Sequence, residues 1–330
     1  MTNKSEQIRP MLAAKYDEAR ALKHLKADGY LYIQPKVDGM RVLFHEGVAR
    51  SRSWKPWTNK ALQQAASSMA YILDGLDGEM LPGKHLGRVI DPEAFRTAMS
   101  ELRAMEGAKE FTYFVFDYFD STCFPCIPSF EMRYNSIANT EYIPGTYVNT
   151  IQSHDFKVHL VLCPTYKVSS IEEIKVWEAD FLARGFEGAI LRRWNGHYKF
   201  GRATPLGGEL TKIKQFEDDE AIIVGYEVAY ENQNDIFENE LGLSSRSAHQ
   251  ANLVPKDYLG SITVELLNDR SKQFNIGVMK GFTIGKRKEL WQQRENLIDK
   301  IVTFKHQGYA GGYDLPRTPV LISFRASEDL

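Results

Sequence analysis

A charged stretch between two apolar runs constrains the fold more than any other feature of this sequence. Residues 30–33 and 42–44 are aromatic and branched, which is typical of β-strands. Between them, residues 34–41 run Gln-Pro-Lys-Val-Asp-Gly-Met-Arg. The pattern predicts Lys36 at the end of a strand, with Asp38 and Arg41 beside it and Gly39 permitting a tight turn. Because so short a motif often occurs by chance, its meaning depends on whether related motifs occur further along the chain.

Length and composition set the outer limits. The 330 residues predict two domains, with one large domain as the alternative. A formal net charge of −2 argues against a general cationic surface but allows a local nucleic-acid groove. No apolar run is long enough to span a membrane, and the N-terminus lacks a signal-peptide pattern. Cysteines at 123, 126 and 163 fit a reducing compartment, with the first two in an ordinary loop. We expect a cytoplasmic monomer, in the host cytoplasm if the source is viral.

The N-terminal half contains two further kinds of candidate residue. Apolar spacing predicts helices over residues 10–28 and 92–105. Glu79 is a candidate site residue because it is flanked by apolar residues in a predicted strand, and a buried acid is costly without a partner. The aromatic strand over residues 111–120 supplies many rings. One of them is expected at a site edge, where it stacks on a base, but alternation along the strand does not decide which.

An acid and two lysines mark the middle of the chain. Residues 159–164 predict a strand and residues 171–183 a helix. Glu187 follows, beside a glycine at the start of another apolar strand. In a later strand, Lys212 and Lys214 are expected on one face with Ile213 on the other. Two such lysines suit a multiply charged anion between them, and an exposed strand edge kept soluble by lysine is the alternative.

The C-terminal third has a different character. Residues 217–220 are all acidic and predict a hinge, and short strands follow over 221–227, 260–267, 273–278, 297–306 and 319–324. Residues 232–256 are polar and predict a long loop. Several short strands within about a hundred residues indicate a small β-barrel of the OB-fold type. A basic patch lies nearby, formed by Lys280, Lys286, Arg287 and Lys288. Its first three members are expected to contact phosphate.

The separate pieces form an ordered set. They are Lys36-Val37-Asp38-Gly39, Ser51-Arg52, Asp77-Gly78-Glu79, Val115-Phe116-Asp117, Glu187-Gly188-Ala189-Ile190 and Lys212-Ile213-Lys214. Across nearly the whole chain this set resembles the ATP-dependent DNA ligases, a branch of the covalent nucleotidyltransferases. Residues 198–216 and the ending over 316–329 are similar to small two-domain bacteriophage and viral members. The ending lacks the lysine with which the family's last motif often closes.

The resemblance implies an α+β fold in two domains. Residues 1–217 would form an adenylation (nucleotidyltransferase) domain of antiparallel sheets with helices, and residues 218–330 an OB-fold β-barrel that binds DNA. The implied cofactors are ATP, bound as covalent AMP, and Mg²⁺ or Mn²⁺. The metal ligands would be Glu187 and Asp38. The implied catalytic residues are Lys36, Arg41, Glu187, Lys212 and Lys214, and the further nucleotide contacts are Gln34, Arg52, Glu79, Phe116, Arg202 and Arg325.

The resemblance also implies a reaction. Lys36 would attack the α-phosphorus of ATP, AMP would move to the 5′-phosphate at a nick in duplex DNA, and the 3′-hydroxyl would then displace it. In this scheme Glu79 holds the ribose, Phe116 stacks on adenine and the amide of Gln34 reads its edge. Three alternatives stay open: an RNA ligase, a GTP-dependent capping enzyme and a non-catalytic OB-fold nucleic-acid-binding protein.

Overall fold

The stretch at residues 34–41 lies where the chain passes from one sheet to another. In the computed structural model, β3 (Leu31–Pro35) ends just before Lys36 and belongs to a five-stranded sheet. The next strand, β4 (Met40–His45), belongs to a six-stranded sheet. The residues between the two strands therefore face a region where two sheets meet, and the predicted strands on both sides are confirmed.

The structure describes residues 8–85, 100–119, 128–139, 149–153, 156–278, 281–310 and 315–325. These residues form two compact units, which we describe separately. The first contains the described residues up to Lys214 together with Glu240–Gly242, and the second contains the rest. Among the described residues, no helix has both the length and the hydrophobicity required to cross a bilayer.

The first unit contains two large sheets and several helices. The strand order is β10-β3-β11-β13-β2 in the five-stranded sheet and β5-β4-β6-β7-β9-β8 in the six-stranded sheet, and β1 pairs with β12. Its helices are α1 (Glu18–Asp28), α2 (Lys60–Ser68), α3 (Ala70–Leu73), α4 (Phe130–Ala138) and α5 (Ile171–Ala183). Its remaining strands are β1 (Met11–Leu12), β2 (Ala14–Lys15), β5 (Val48–Ser51), β6 (Leu76–Pro82), β7 (Glu110–Tyr118), β8 (Asn149–Ser153), β9 (Phe156–Leu162), β10 (Tyr166–Val168), β11 (Ala189–Arg193), β12 (Gly201–Arg202) and β13 (Thr211–Ile213).

Most predicted elements of this unit are confirmed, and the helix over residues 171–183 has the predicted bounds. The sheets are not purely antiparallel, because β1–β12, β2–β13 and β7–β9 are parallel pairs. The predicted helix over residues 10–28 is wrong in its first part, where β1 and β2 lie. The helix begins only after Asp17, whose side chain accepts a hydrogen bond from the Arg20 backbone N–H at 2.9 Å.

Gly39, predicted to permit a tight turn, does not have a positive φ, and its role in the structure is close packing. A Cβ atom at this position would lie 2.8 Å from the carbonyl oxygen of Met80 and 3.0 Å from Cγ of Glu79. Only glycine lets the chain approach β6 so closely. The crossing between the sheets therefore runs directly against the strand that carries Glu79.

The core of the first unit contains a buried charge cluster. Apolar residues of both large sheets join in one hydrophobic cluster. Beside it, Asp117 is fully buried and accepts hydrogen bonds from Arg133 at 2.8 and 3.2 Å and from Arg192 at 2.5 Å. Burial opposes ionisation of this carboxyl, but the two guanidinium groups prevail and lower its pKa below the ordinary value.

The second unit is built on a five-stranded antiparallel sheet with the order β18-β17-β14-β19-β22. Its two edge strands approach each other, but no described pairing closes the sheet into a barrel. Its helix is α6 (Ile284–Gln292). Its strands are β14 (Glu217–Asn232), β15 (Ile236–Glu238), β16 (Ser244–Arg246), β17 (Leu253–Leu266), β18 (Gln273–Gly277), β19 (Ile301–His306), β20 (Tyr309–Ala310), β21 (Leu315–Pro316) and β22 (Val320–Phe324).

Three expectations for this unit are corrected. The acidic run 217–220, which was predicted to be a hinge, lies in a strand, since it opens β14 and pairs with β19. The expected loop over 232–256 contains the β15–β16 hairpin and the outer part of the β14–β17 ladder. Arg287 is buried and donates to the Leu259 carbonyl at 2.8 Å, so it is not an exposed phosphate contact.

Some expectations fall outside the described residues. They concern Cys123 and Cys126, most of the helix over 92–105, Lys280 and residues 326–329. Residues 100–103, at the end of that predicted helix, are helical. Cys163 is a buried free thiol, and burial raises its pKa to about 12.

The buried charge cluster generates a stability prediction. Asp117→Asn would leave two buried guanidinium groups without a compensating carboxylate, so we expect the free energy of unfolding to fall by about 3–5 kcal/mol. Denaturant titration followed by tryptophan fluorescence measures this well, because four of the five tryptophans lie in the first unit. The matched control is Asp180→Asn, which removes a partly exposed pair with Arg184 and should change stability by about 0.5 kcal/mol or less. Equal effects of the two variants would contradict the prediction.

Candidate active site

Backbone pairing brings Lys36 and Glu187 together. The N–H of Lys36 donates to the Gly188 carbonyl at 2.9 Å, and the N–H of Glu187 donates to the Lys36 carbonyl at 2.8 Å. These bonds extend the β3–β11 ladder beyond the end of each strand. Gly188 has a φ of +141°, and a Cβ there would lie 2.4 Å from the Ile213 carbonyl oxygen. Glycine is therefore required at this crossing of three strand ends.

The Glu187 carboxylate bridges two lysines. Its Oε2 accepts from the ammonium group of Lys36, and its Oε1 accepts from that of Lys214. The side chain of Glu187 is only 10 % exposed, and those of the lysines about twice that. We expected Lys212 and Lys214 to flank an anion jointly. In the structure, the anion that Lys214 contacts is a protein carboxylate, that of Glu187.

Lys212 lies among cations. Burial lowers its pKa below the ordinary value, and Arg52, Lys36 and Arg202 lower it further. Within the described part of the chain, its ammonium group has no ion-pair partner. Its neighbour Ile213 is buried, as the predicted alternation requires. Cations held together in this way favour a polyanionic ligand, since such a ligand relieves their mutual repulsion.

Arg41 is fixed by an acid that the sequence analysis did not single out. Its Nε and Nη2 donate to the two carboxylate oxygens of Asp77 at 2.9 and 2.5 Å. Its Nη1 donates to the Met11 carbonyl at 2.6 Å. Burial disfavours the charged guanidinium, but the adjacent Asp77 outweighs it and raises the pKa of Arg41. The Asp-Gly-Glu spelling of residues 77–79 was visible in the sequence, and only its glutamate was chosen as a candidate.

Glu79 lies opposite Arg41 in the β4–β6 ladder. Burial raises its pKa to about 7, against the opposing charges of Lys36 and Arg41. At neutral pH this carboxyl therefore exists in both protonation states. It can accept a hydrogen bond from a ligand hydroxyl, or donate one when it is protonated.

Phe116 occupies a β-bulge. In the β6–β7 ladder, Asp77 lies opposite Asp117 and Gly78 lies opposite Val115, which leaves Phe116 without a partner. A bulge redirects the side chain, so simple alternation fails at this position. The ring is partly exposed, and the guanidinium carbons of Arg41 and Arg192 lie 5.4 and 5.7 Å from its centre.

Gln34 contacts the backbone of Phe116 and is almost fully buried. Its amide nitrogen donates to Thr165 Oγ1 at 2.9 Å and more weakly to the Phe116 carbonyl at 3.4 Å. Its amide oxygen accepts from Nε of Arg192 at 2.9 Å. Protein groups thus fix the orientation of the amide that was expected to read a base.

The other predicted residues differ in their surroundings. Arg52 is exposed as a whole residue. Partial burial of its guanidinium group, together with the charges of Arg41 and Arg202, lowers its pKa. Arg202 is also exposed and donates to the Ala13 carbonyl at 3.3 Å. Asp38 is partly exposed and acts electrostatically on Glu79. Arg325 belongs to the second unit, where its Nε donates to Glu220 at 2.7 Å.

The N-terminal segment was the main omission of the sequence analysis. The carbonyls of Met11 and Ala13 hold Arg41 and Arg202, and Lys15 pairs with Lys212 in the β2–β13 ladder. The side chains of this segment are apolar or of common polar types, so their chemistry did not indicate a role in the site. Three predicted ligand-binding cations therefore depend on a segment that was assigned to a helix.

Comparisons with known proteins show the family to which the chain belongs. Residues 10–214 match the family model of the ATP dependent DNA ligase domain. The structure of Lig E DNA ligases has 19% identity, covers 96% of this chain and 99% of that chain, and gives a TM-score of 0.60. That likeness supports the two-part ligase fold, in which the five-stranded β unit corresponds to the OB-fold domain.

Two viral structures are also similar. Chlorella virus DNA ligase-adenylate has 26% identity over 96% of this chain and 99% of that chain, with a TM-score of 0.49. The ATP-dependent DNA ligase of bacteriophage T7 in complex with ATP has 16% identity over 96% and 98%, with a TM-score of 0.49. A comparison with curated proteins gives no significant match. Because the family model covers well over half of the chain and spans every candidate residue of the first unit, the chain belongs to the ATP-dependent DNA ligase family.

Proposed function

We propose that Lys36, after its ammonium group has passed a proton to the contacting carboxylate of Glu187, attacks the α-phosphorus of ATP as a neutral amine, forming the N–P bond of lysyl-AMP and releasing pyrophosphate. The observation that carries this proposal is the position of Lys36 at a strand end, in contact with Glu187 and close to Lys212. Phosphoryl transfer needs mainly positioning and charge neutralisation, and a fixed lysine within a cluster of cations offers both.

The neighbouring residues take complementary roles. Lys212, Lys214 and Arg41 neutralise the charge that builds on the phosphate in the transition state, with Arg52 and Arg202 as further phosphate contacts. Glu79 binds the ribose, Phe116 stacks on adenine, and Gln34 lies at the adenine edge. The partly exposed ring of Phe116, with the Arg41 guanidinium carbon 5.4 Å from its centre, supports this assignment. Arg325 is a further candidate contact to the nucleotide.

The donor set fits a divalent cation that is held mainly by its nucleotide. The described residues hold no cluster of three or more metal-binding side chains. Mg²⁺ usually takes one or two carboxylates together with substrate phosphates and water, so Glu187 and Asp38 suffice. Bound there, Mg²⁺ or Mn²⁺ would neutralise phosphate charge. Glu187 would then exchange its lysine contacts for the metal.

We further propose nicked duplex DNA as the substrate. AMP passes from Lys36 to the 5′-phosphate at the nick, and the 3′-hydroxyl then attacks that phosphate and releases AMP. Residues 1–217 would carry out the adenylation, and residues 218–330 would bind the duplex. The chain would act as a monomer in the cytoplasm.

The nucleophile assignment is tested by labelling. With α-labelled ATP and Mg²⁺, we expect the parent to retain label after denaturation and Lys36→Ala to retain none, because no other amine occupies that position. Lys175→Ala is the control, since this exposed lysine pairs only with Glu18 at 3.4 Å and should label normally.

A chase with nicked duplex DNA then tests the substrate. The label should leave the protein as a sealed strand appears. Discharge by RNA ends alone would indicate an RNA ligase, and stronger labelling by GTP would indicate a capping enzyme. No label on any form would leave a non-catalytic nucleic-acid-binding protein.

The raised pKa of Glu79 generates a pH prediction. A carboxyl whose pKa is higher in the folded state than in the unfolded state stabilises the fold at low pH, and this contribution is lost as the pH rises toward about 7. Glu79→Gln mimics the protonated acid, so its stability should increase relative to the parent between about pH 5 and pH 8. The full shift corresponds to about 3 kcal/mol, and water contact at this partly exposed side chain reduces the expected change to about 1–2 kcal/mol.

Denaturant titrations at several pH values measure this difference. The control is Glu172→Gln, at an exposed position in the first turn of α5, whose stability difference from the parent should stay constant over the same range. A constant difference for Glu79→Gln as well would refute the prediction.

A further inference from the structure

Arg41 and three other residues form a closed ring of hydrogen bonds. Arg41 donates to the carboxylate of Asp77 and to the carbonyl of Met11. The hydroxyl of Tyr198 donates to Asp77 Oδ2 at 2.6 Å and accepts from the backbone N–H of Met11 at 3.2 Å. The ring thus runs from Arg41 through Asp77, Tyr198 and Met11 back to Arg41.

The ring is withdrawn from solvent. Met11 and Asp77 are fully buried, and Tyr198 is 1 % exposed. Only the Arg41 side chain, at 12 %, reaches the surface. Hydrogen bonds in such surroundings are strong and costly to leave unmade, so the ring favours one arrangement of its members.

The ring leaves Arg41 with a defined set of donors. A guanidinium carries five N–H groups, and the ring uses three of them. Within the described segments, one N–H on Nη1 and one on Nη2 have no protein acceptor. Two N–H groups in fixed geometry suit a pair of phosphate oxygens, and a guanidinium free to rotate would lose this match.

Tyr198 is the member that closes the ring. Without its hydroxyl, Asp77 would keep only Arg41, and the Met11 N–H would lose its acceptor. The aromatic side chain of Tyr198 is held by packing. Its centroid lies 5.5 and 5.8 Å from the centroids of Phe119 and Phe200 and 5.7 Å from the guanidinium carbon of Arg133. Removing the hydroxyl alone therefore leaves the aromatic ring in place and loosens the hydrogen bonds.

We infer that Tyr198 is a positioning residue for adenylyl transfer, acting through Asp77 and Met11 to hold Arg41 in its phosphate-binding orientation. The inference rests on the proposed function, in which Arg41 neutralises the phosphate. Tyr198 itself touches no reactant. Its effect should consequently appear in the rate of lysine adenylylation and disappear when Arg41 can no longer occupy the ring.

Single-turnover labelling with saturating α-labelled ATP tests the inference. The amplitude of labelling reports the fraction of folded, active protein, and the rate constant reports the reaction in that fraction. For Tyr198→Phe we expect a rate constant lowered roughly 10-fold, because a hydrogen bond to a charged group is lost. A merely structural role would lower the amplitude and leave the rate constant unchanged.

The matched control is Tyr113→Phe. Tyr113 is equally buried, and its hydroxyl donates to the Val42 carbonyl at 2.9 Å, outside the ring. This variant loses a buried tyrosine hydroxyl that donates to Val42 and not to Asp77 or Met11. Its rate constant should therefore remain within about twofold of the parent's. For comparison, losing one hydrogen bond to a charged group is expected to lower the rate constant about tenfold.

A double variant provides the decisive comparison. Arg41→Lys cannot form the two-pronged contact with Asp77. In that background, Tyr198→Phe should cause no further loss of rate. Equal rate constants for Tyr198→Phe and Tyr113→Phe, or a full additional loss in the Arg41→Lys background, would overturn the inference alone. Absence of label on the parent would overturn the proposed function and this inference with it.

Discussion

The carboxylate of Glu187, held between the ammonium groups of Lys36 and Lys214, is the interaction on which the site depends. It joins residues beyond the ends of three strands, β3, β11 and β13. Gly188 makes the approach sterically feasible, and paired backbone bonds fix the lysine relative to the acid. A lysine placed in this way has its charge compensated while the remaining cations nearby stay available for an anionic ligand. The strand ends thus position these side chains and also determine the electrostatic field around them.

The N-terminal segment provides the second constraint. Its backbone holds Arg41 and Arg202 through carbonyls and lines up with Lys212 through parallel pairing. Cations that repel one another need such anchors, since their side chains would otherwise separate into solvent. Carbonyl oxygens suit this purpose because they carry partial negative charge without neutralising the cation. Arg202 therefore keeps its positive charge for an anionic ligand, whereas Arg41 is also compensated by the carboxylate of Asp77.

Local sequence patterns predicted the fold best where structure depends on near neighbours. The helix at 171–183 and the strands around Lys36 follow from periodicity and from turn residues. The failures depend on distant partners. β1 and β2 form because β12 and β13, almost two hundred residues away, pair with them, and a two-residue strand has no period of its own. The bulge at Phe116 was hidden for the same reason. The β15–β16 hairpin is a local pairing, and it was missed because the stretch 232–256 is largely polar. Lys36 and Glu187 were found by their motifs, whereas Asp77 and Tyr198 acquire meaning only through contacts.

Two arginine–aspartate clusters lie side by side in this domain, and their donors separate a structural role from a functional one. Asp77 and Asp117 are directly opposite each other in the β6–β7 ladder, and both are fully buried. At Asp117, Arg133 commits four of its five N–H groups to protein oxygens and is 2 % exposed. Arg41 commits three at Asp77 and Met11, and its side chain reaches the surface beside Phe116. A guanidinium whose donors are nearly all used by the protein can only stabilise the fold. Arg41 is held in a fixed orientation with two N–H groups that no described residue accepts, so it keeps donors for a ligand, which we propose to be a phosphate.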